Sequence, residues 1–316
     1  MKETLFNIDT ESFLKTNIEA FASALADDLE YSYEYSVVEK VNETLHGVIL
    51  DTGSNIRPCL YVDGFFDDYR NDRILLDEAK HEFRDLVESV TKNALPFNTE
   101  NITEHIINKE YILNNVFFSL CNTEKNKEFL KDRPHFEFLD LSIYYRVGYP
   151  SIMDRDVCSC PVDSSLIEKA GVSEEELRDA AERNNNSANY IVESMVDVLK
   201  RMLDEDFANT QEADPNNSML IIRPVEHNYH GYGAAAMLNN ELLKSIHNNI
   251  DDFYILPSSV HELLVFPVNA SDCVDSDDVV SSLKDMVTSV NQACLREKEI
   301  LSDNVYFYDG KSVREA

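Results

Sequence analysis

The alternation of apolar and polar residues divides the chain into short elements. Residues Ser12 to Leu25 place Leu14, Ile18, Phe21, Ala22 and Leu25 on one helical face. Three strand-like runs follow: "YSYEYSVVEKV", "TLHGVIL" and, after the turn "DTGSN", "PCLYV". Two antiparallel hairpin steps are their simplest topology. A helix is predicted from about Arg73 to Asn93, with Leu75, Leu76, Ala79, Phe83, Leu86, Val87 and Val90 as its stripe. Pro96 lies just beyond as a stop.

The stretch "LPFNTENITEH" is polar and contains Pro and Asn, which marks it as a boundary. It sets an N-terminal α+β lobe, residues 1–95, apart from a C-terminal α+β lobe, residues 96–316, with a shared core as the alternative. The second lobe opens with "YILNNVFFSLCN", a mostly buried strand, and "TEKNKEFLKDRP", a short helix ending before Pro134. Next is "HFEFLDLSIYYRVGY", a long alternating strand whose slip at Leu139-Asp140-Leu141 reads as a bulge. Ser173 with Glu176 forms a capping box at the start of a helix. A further helix over about Ala188 to Leu203 carries Ile191, Met195, Val198, Leu199 and Met202. The strand "MLIIRPV", a helix over about Ala234 to Asn248, two buried strands around "PSSVHE", a helix over about Asp277 to Leu295 and the strand "NVYFYDG" complete the chain. There is no solenoid period, and the connections are of hairpin type. The fold class is therefore α+β, with mainly antiparallel sheets covered by helices in two lobes.

Length and composition narrow the function classes. A chain of 316 residues, 43% hydrophobic, can bury a sizeable core. Asp plus Glu number 59 against 28 Lys plus Arg, a formal charge of -31. Such a surface repels phosphate backbones and anionic lipid, so neither nucleic acid nor membrane is expected as a direct partner. The acids are spread along the chain as a solvated coat. The sharper alternative is a DNA mimic that inhibits a basic nucleic-acid-binding protein. The start, "MKETLFNIDTESFL", lacks the features of a signal peptide, and no stretch reaches the roughly 18 apolar residues of a membrane span, so a cytoplasmic location is expected. The six cysteines are scattered. The one close pair, Cys158 and Cys160, is spaced too tightly for a zinc knuckle, so free thiols, no metal and no cofactor are expected.

Three stretches hold candidate chemistry. In "DDFYILPSSVHELLVFPV", Ser259, His261 and Glu262 have the letters of nucleophilic catalysis. A nucleophile elbow, however, needs Gly-x-Ser-x-Gly between a strand and a helix. Here no Gly is near and a strand follows, so the stretch reads as a strand–turn–strand elbow with His261 as a pocket wall. In "VEHNYHGYGAAAML", His227 and His230 precede Gly231 and Gly233 at a helix start, where backbone N–H groups bind anions. Backbone geometry alone also explains such glycines. In the third stretch His135 and Arg146 sit near the ends of the long strand. Arg146 offers a planar fork for a carboxylate or phosphate, or an ion pair to Asp140 or Glu137.

The stretches "NTEKNKEFLKDRPHFEFLDLSIYYRV", "GYGAAAMLNNELL" and "DDFYILPSSVHELLVFPV", with the closing "LSDNVYFYDG", together resemble an uncharacterised family abundant in gut Clostridia, a domain of unknown function. The resemblance covers nearly the whole chain. The second lobe is more distantly similar to the YtpQ-like family of Firmicutes, which shares an aromatic strand ending near an Arg, a Gly-Tyr helix start and a strand pair around a Pro and a His. Neither resemblance implies a reaction; the first implies an accessory or mobile-element gene.

With no complete catalytic constellation and a charge of -31, the expected function is non-enzymatic: an acidic, cytoplasmic protein-binding or regulatory protein whose partner is a protein with a basic surface. The alternative is an enzyme or small-ligand binder with its pocket near His230, His261 and Arg146.

Overall fold

A computed structural model of the chain describes residues 10–53, 57–92, 106–149, 158–202, 218–225, 233–268 and 276–316. The fold is α+β, and every strand pairing is antiparallel. The chain divides into two compact units, Met1–Thr103 and Glu104–Ala316.

The first unit begins with helices α1 (Thr10–Leu14) and α2 (Ile18–Ala26). Asn17 separates them: its side chain accepts a hydrogen bond from the Ala20 N–H at 3.0 Å, which caps a new helix. Strands β1 (Ser32–Lys40), β2 (Glu43–Asp51) and β3 (Cys59–Tyr61) form a meander in that order. Helices α3 (Asp63–Arg70) and α4 (Leu76–Lys92) follow. The expected face of α2, Phe21, Ala22 and Leu25, is buried with Val48 and Leu50 of β2, Leu60 of β3 and the α4 stripe Ala79, Phe83 and Val87. Phe21 stacks on Tyr69 at 5.1 Å and meets Phe66 edge-on at 5.5 Å. Burying a ring of this kind contributes about 1.5–3 kcal/mol. Helix α3 has no counterpart in the sequence reading, because "DGFFDDYR" mixes Gly64 and three acids with its apolar residues.

The second unit holds two sheets. The first contains β4 (Val116–Asn122), β5 (His135–Phe138), β6 (Leu141–Tyr149) and β7 (Cys158–Pro161). Strand β6 pairs with β4 along one side; on the other, β5 takes its first half and β7 its second. The second sheet has six strands in the order β13-β12-β10-β11-β9-β8: β8 (Tyr190–Ser194), β9 (Leu220–Pro224), β10 (Phe253–Leu256), β11 (Leu263–Pro267), β12 (Tyr306–Tyr308) and β13 (Val313–Glu315). The helices are α5 (Lys109–Asn115), α6 (Lys127–Leu130), α7 (Ser164–Ala170), α8 (Glu174–Ser187), α9 (Met195–Met202), α10 (Asn240–Ile250) and α11 (Ser276–Cys294). One core joins inward residues of both sheets to α8 and α10, with Val116, Leu141, Leu177, Ile222, Leu243, Ile255 and Tyr306 at its centre. A smaller cluster, Tyr254, Leu256, Leu283, Val287 and Val305, lies under α11 on the far face of the six-stranded sheet.

Besides the break at Asn17 in the helix expected over Ser12 to Leu25, four expected elements of the second unit differ in the structure. Residues 109–115 are helical and strand β4 starts only at Val116; Asn108 caps the helix through the Tyr111 N–H at 2.9 Å. The long strand over 135–149 is a hairpin, β5 and β6, turning at Leu139-Asp140. Leu139 takes φ = 59°, the conformation that the first residue of such a two-residue turn requires. Leu lacks the turn signature of Gly or Asn, so the turn looked like a bulge. The helix expected over 188–203 is a strand, β8, followed by helix α9, since Tyr190 to Ser194 find a pairing partner in β9. The helix expected over 234–248 is a 3-10 segment, Gly233–Leu238, and then α10, because Asn239 caps a fresh start through the Leu242 N–H at 3.0 Å.

Candidate functional site

The elbow Pro257 to Glu262 joins β10 to β11 and is held on both sides. On one side Val260 N–H donates to the Glu299 carbonyl at 3.1 Å, Leu301 N–H to Ser258 at 3.0 Å and Ser302 N–H to Pro257 at 3.1 Å. On the other, Gly233 N–H donates to the His261 carbonyl at 3.0 Å and Ala234 N–H to Val260 at 3.3 Å. Ser259 is buried, and its hydroxyl accepts from the backbone N–H of His261 at 3.0 Å. It therefore closes a local turn. A serine nucleophile donates its O–H to the imidazole of a base, whereas the His261 imidazole lies beside the Glu299 carboxylate.

The imidazole of His261 points to the rim, half exposed, with Nε2 3.5 Å from the Glu299 carboxylate. The Glu299 carboxyl is held below the usual carboxylate range, first by the backbone N–H of Arg296, then by the Arg296 charge and by His261, against the opposing effect of burial. Gly233 is needed where it stands: a Cβ there would lie 2.2 Å from the His261 carbonyl oxygen. The structure thus brings Gly233, Ser259 and His261 together, with Glu262 next along the chain. His227, His230 and Gly231 lie outside the described residues.

His135 and Arg146 belong to the other sheet. His135, on β5, has Nδ1 2.8 Å from the Arg133 carbonyl. Arg146, on β6, donates from Nε to the Ser159 hydroxyl at 3.1 Å and from Nη2 to the Ser159 carbonyl at 2.8 Å, which ties β6 to β7. Asp140, a partner anticipated for Arg146, accepts instead from Ser302 Oγ at 2.7 Å and from the Tyr306 hydroxyl at 2.5 Å. Burial, and then this carboxylate, push the Tyr306 phenol far above its ordinary pKa. The thiol of Cys160 on β7 is raised by burial, as is that of Cys121, which is pushed up to about 12, so neither has thiolate character. Among the described residues no group of three or more His, Cys, Asp and Glu could hold a metal ion, and no helix is long and apolar enough to cross a membrane.

Two arrangements had no local signal in the sequence. In the first unit Asp63 accepts from both the backbone N–H of His46, at 2.9 Å, and its ring Nδ1, at 2.7 Å. The Tyr35 ring stacks on that imidazole at 6.2 Å. The partners are 17 residues apart and meet only because α3 starts beside β2.

The second arrangement is the outer margin of the six-stranded sheet. Among the described residues strand β8 is its last strand, and α9 follows directly. Helix α9 has an apolar side, yet none of its residues is fully buried. Val192, Leu199 and Val225 are exposed, and Met202 is 76% exposed. Glu193 holds this margin in shape: Arg201 grips it with two nitrogens at 2.7 and 2.9 Å, and Arg223 joins at 3.3 Å. These cations hold the Glu193 carboxyl at about 2, the Arg201 hydrogen bond being the largest cause. A helical reading of β8 hides the edge, although Ile191, Met195, Val198, Leu199 and Met202 form one apolar series in the sequence.

Comparison with curated proteins gives no match, and comparison with solved structures gives none. A family model does match, over residues 10–310, nearly the whole chain, and it is that of a family of unknown function; the chain belongs to this family, DUF5688.

Proposed function

We propose that the protein is a non-enzymatic, cytoplasmic binding protein whose partner is another protein, seated on the outer edge of β8 and the adjoining helix α9. The carrying observation is that the outermost strand among the described residues runs straight into an amphipathic helix with no fully buried residue. An unpaired strand edge presents alternating N–H and C=O groups that an extended segment can extend into another strand, while apolar side chains beside it supply anchors. The charge of -31 favours a partner with a basic rim, because the attraction raises the encounter rate and suppresses acidic competitors. Glu193 already neutralises cations at the edge, so its two arginines do not oppose such a partner.

The elbow at Ser259 supports the non-enzymatic side of this reading, since Ser259 is buried in a turn and the His261 imidazole is set beside Glu299. The likenesses to the gut Clostridia family and, for the second unit, to the YtpQ-like family imply no reaction that would oppose it.

The test is affinity capture from the native host with wild type and with the double variant Leu199→Asp, Met202→Asp, followed by reassembly of the purified pair. A partner kept by wild type, lost by the double variant and still bound by an Asp77→Asn control supports the proposal. Equal retention by both proteins, or no specific partner, overturns it.

A further inference from the structure

The first unit contains a cleft of about 450 Å³ between the turn Asp28–Tyr31 and one face of α4. That volume lies within the range of small-molecule sites, about 300–1,000 Å³. Its apolar walls are Leu29, Tyr31 and Val87. The charges that line it fall into two sets. Asp28 is paired with Lys80 at 3.3 Å, and Glu88 with Lys92 at 2.5 Å, so these are mutually satisfied. Arg84 and Glu30 line the same cleft; among the described residues neither has a hydrogen bond or an ion pair, and the Arg84 charge acts at longer range on Glu88. One guanidinium and one carboxylate thus face a common space without using each other.

We infer that this cleft binds a small zwitterion: a free amino acid or dipeptide with an apolar side chain. Its carboxylate would lie on the fork of Arg84, which suits two parallel hydrogen bonds. Its ammonium would lie on Glu30, and its side chain against Leu29, Tyr31 and Val87. A simple anion would meet Glu30 and Asp28, and a simple cation would meet Arg84 and Lys92. A ligand carrying both charges engages the two groups that make no hydrogen bond and leaves the two existing pairs intact. This inference concerns the first unit and is independent of the edge at β8.

Calorimetric titration of the full chain with L-phenylalanine and with L-leucyl-L-phenylalanine tests it. At least one probe is expected to bind saturably. N-acetyl-L-phenylalanine, which lacks the ammonium, and L-phenylalaninamide, which lacks the carboxylate, should each bind about tenfold or more weakly, the usual loss for a charged hydrogen bond. Glu30→Gln should abolish the discrimination against the acetylated probe, and Arg84→Gln the discrimination against the amide. Arg84→Lys should recover only part of the affinity. Both side chains are exposed, so the variants should give wild-type circular dichroism spectra. No saturable binding of either zwitterion at millimolar concentration overturns the inference, as does binding indifferent to both substitutions.

Discussion

The carbonyl oxygen of His261 fills the space that a Cβ on Gly233 would need, 2.2 Å from its ideal position. Both atoms belong to backbone held by hydrogen bonds, so neither can swing aside. Gly233→Ala should therefore force the 3-10 segment off the elbow at a cost of about 1–3 kcal/mol, the range for overpacking a tight contact. Urea denaturation measures this, and an unchanged midpoint would contradict the close approach.

Ser259 and His261 should separate cleanly in the same experiment. Ser259→Ala leaves the backbone N–H of His261 without its acceptor at a buried turn and should cost about 1–3 kcal/mol. His261→Ala removes a half-exposed contact with Glu299 and should cost about 0–1 kcal/mol. A larger loss for His261 than for Ser259 would mean that the imidazole holds more of the elbow than its geometry shows.

The contrast between these two residues also shows what the sequence could reveal. Apolar periodicity located the β1–β3 meander, α4 and the strands flanking the elbow, because each buries a side chain pattern with a single period. Ser173 and Glu176 marked the start of α8 because capping is a local interaction; the bond from the Glu176 N–H to Ser173 Oγ is present at 3.2 Å. The failures are non-local. Residues 190–194 have residues that suit either element, and only β9, about 30 residues on, makes them a strand. Leu139 sits in a turn that Gly or Asn would have announced. The elbow was legible as a turn, but its contacts with Gly233 and Glu299 depend on segments far along the chain.

The hairpin turn itself offers a gain in stability. A non-glycine residue in the left-handed region costs about 1–2 kcal/mol, whereas glycine loses about 0.5–1 kcal/mol of that benefit through unfolded-state entropy. Leu139→Gly should therefore stabilise the protein by about 0.5–1 kcal/mol, with the exposed leucine side chain contributing little. Thermal unfolding would reveal a higher Tm; a lower one would place Leu139 in a packing role.

Asp140 and Tyr306 should be energetically coupled. Tyr306 is fully buried and its hydroxyl donates to Asp140. Asp140→Asn and Tyr306→Phe should each destabilise, and the double variant should lose less than their sum, by about 1 kcal/mol or more. Full additivity in this cycle would show that the short contact contributes nothing of its own.

Acid should expose two other carboxylates. Glu176 is held at about 2, first by the Lys109 ammonium and then by the Ser173 N–H, and Glu193 is held at about 2 chiefly by Arg201. A folded-state pKa below the ordinary 4.5 means that the stabilisation is complete above about 4.5 and is lost as pH falls towards 2. Glu176→Gln and Glu193→Gln should each be less stable than wild type at neutral pH, and the gap should close across that window. Denaturation midpoints measured from pH 7 down to about 2 provide the check, and a gap that persists at the acid end would rule out the linkage.

The bond between Asp140 and Tyr306 spans 166 residues. At typical translation rates of about 5–20 residues per second, the tyrosine leaves the ribosome roughly 10–30 s after the aspartate it serves. Through that interval Asp140 lacks its two hydroxyl partners, Ser302 and Tyr306, and strand β12, which lies between β13 and β10 in the second sheet, has not been made. The second unit therefore closes only once Tyr306 has emerged, and a nascent chain stalled before it carries an open core that chaperones and proteases can read as unfinished.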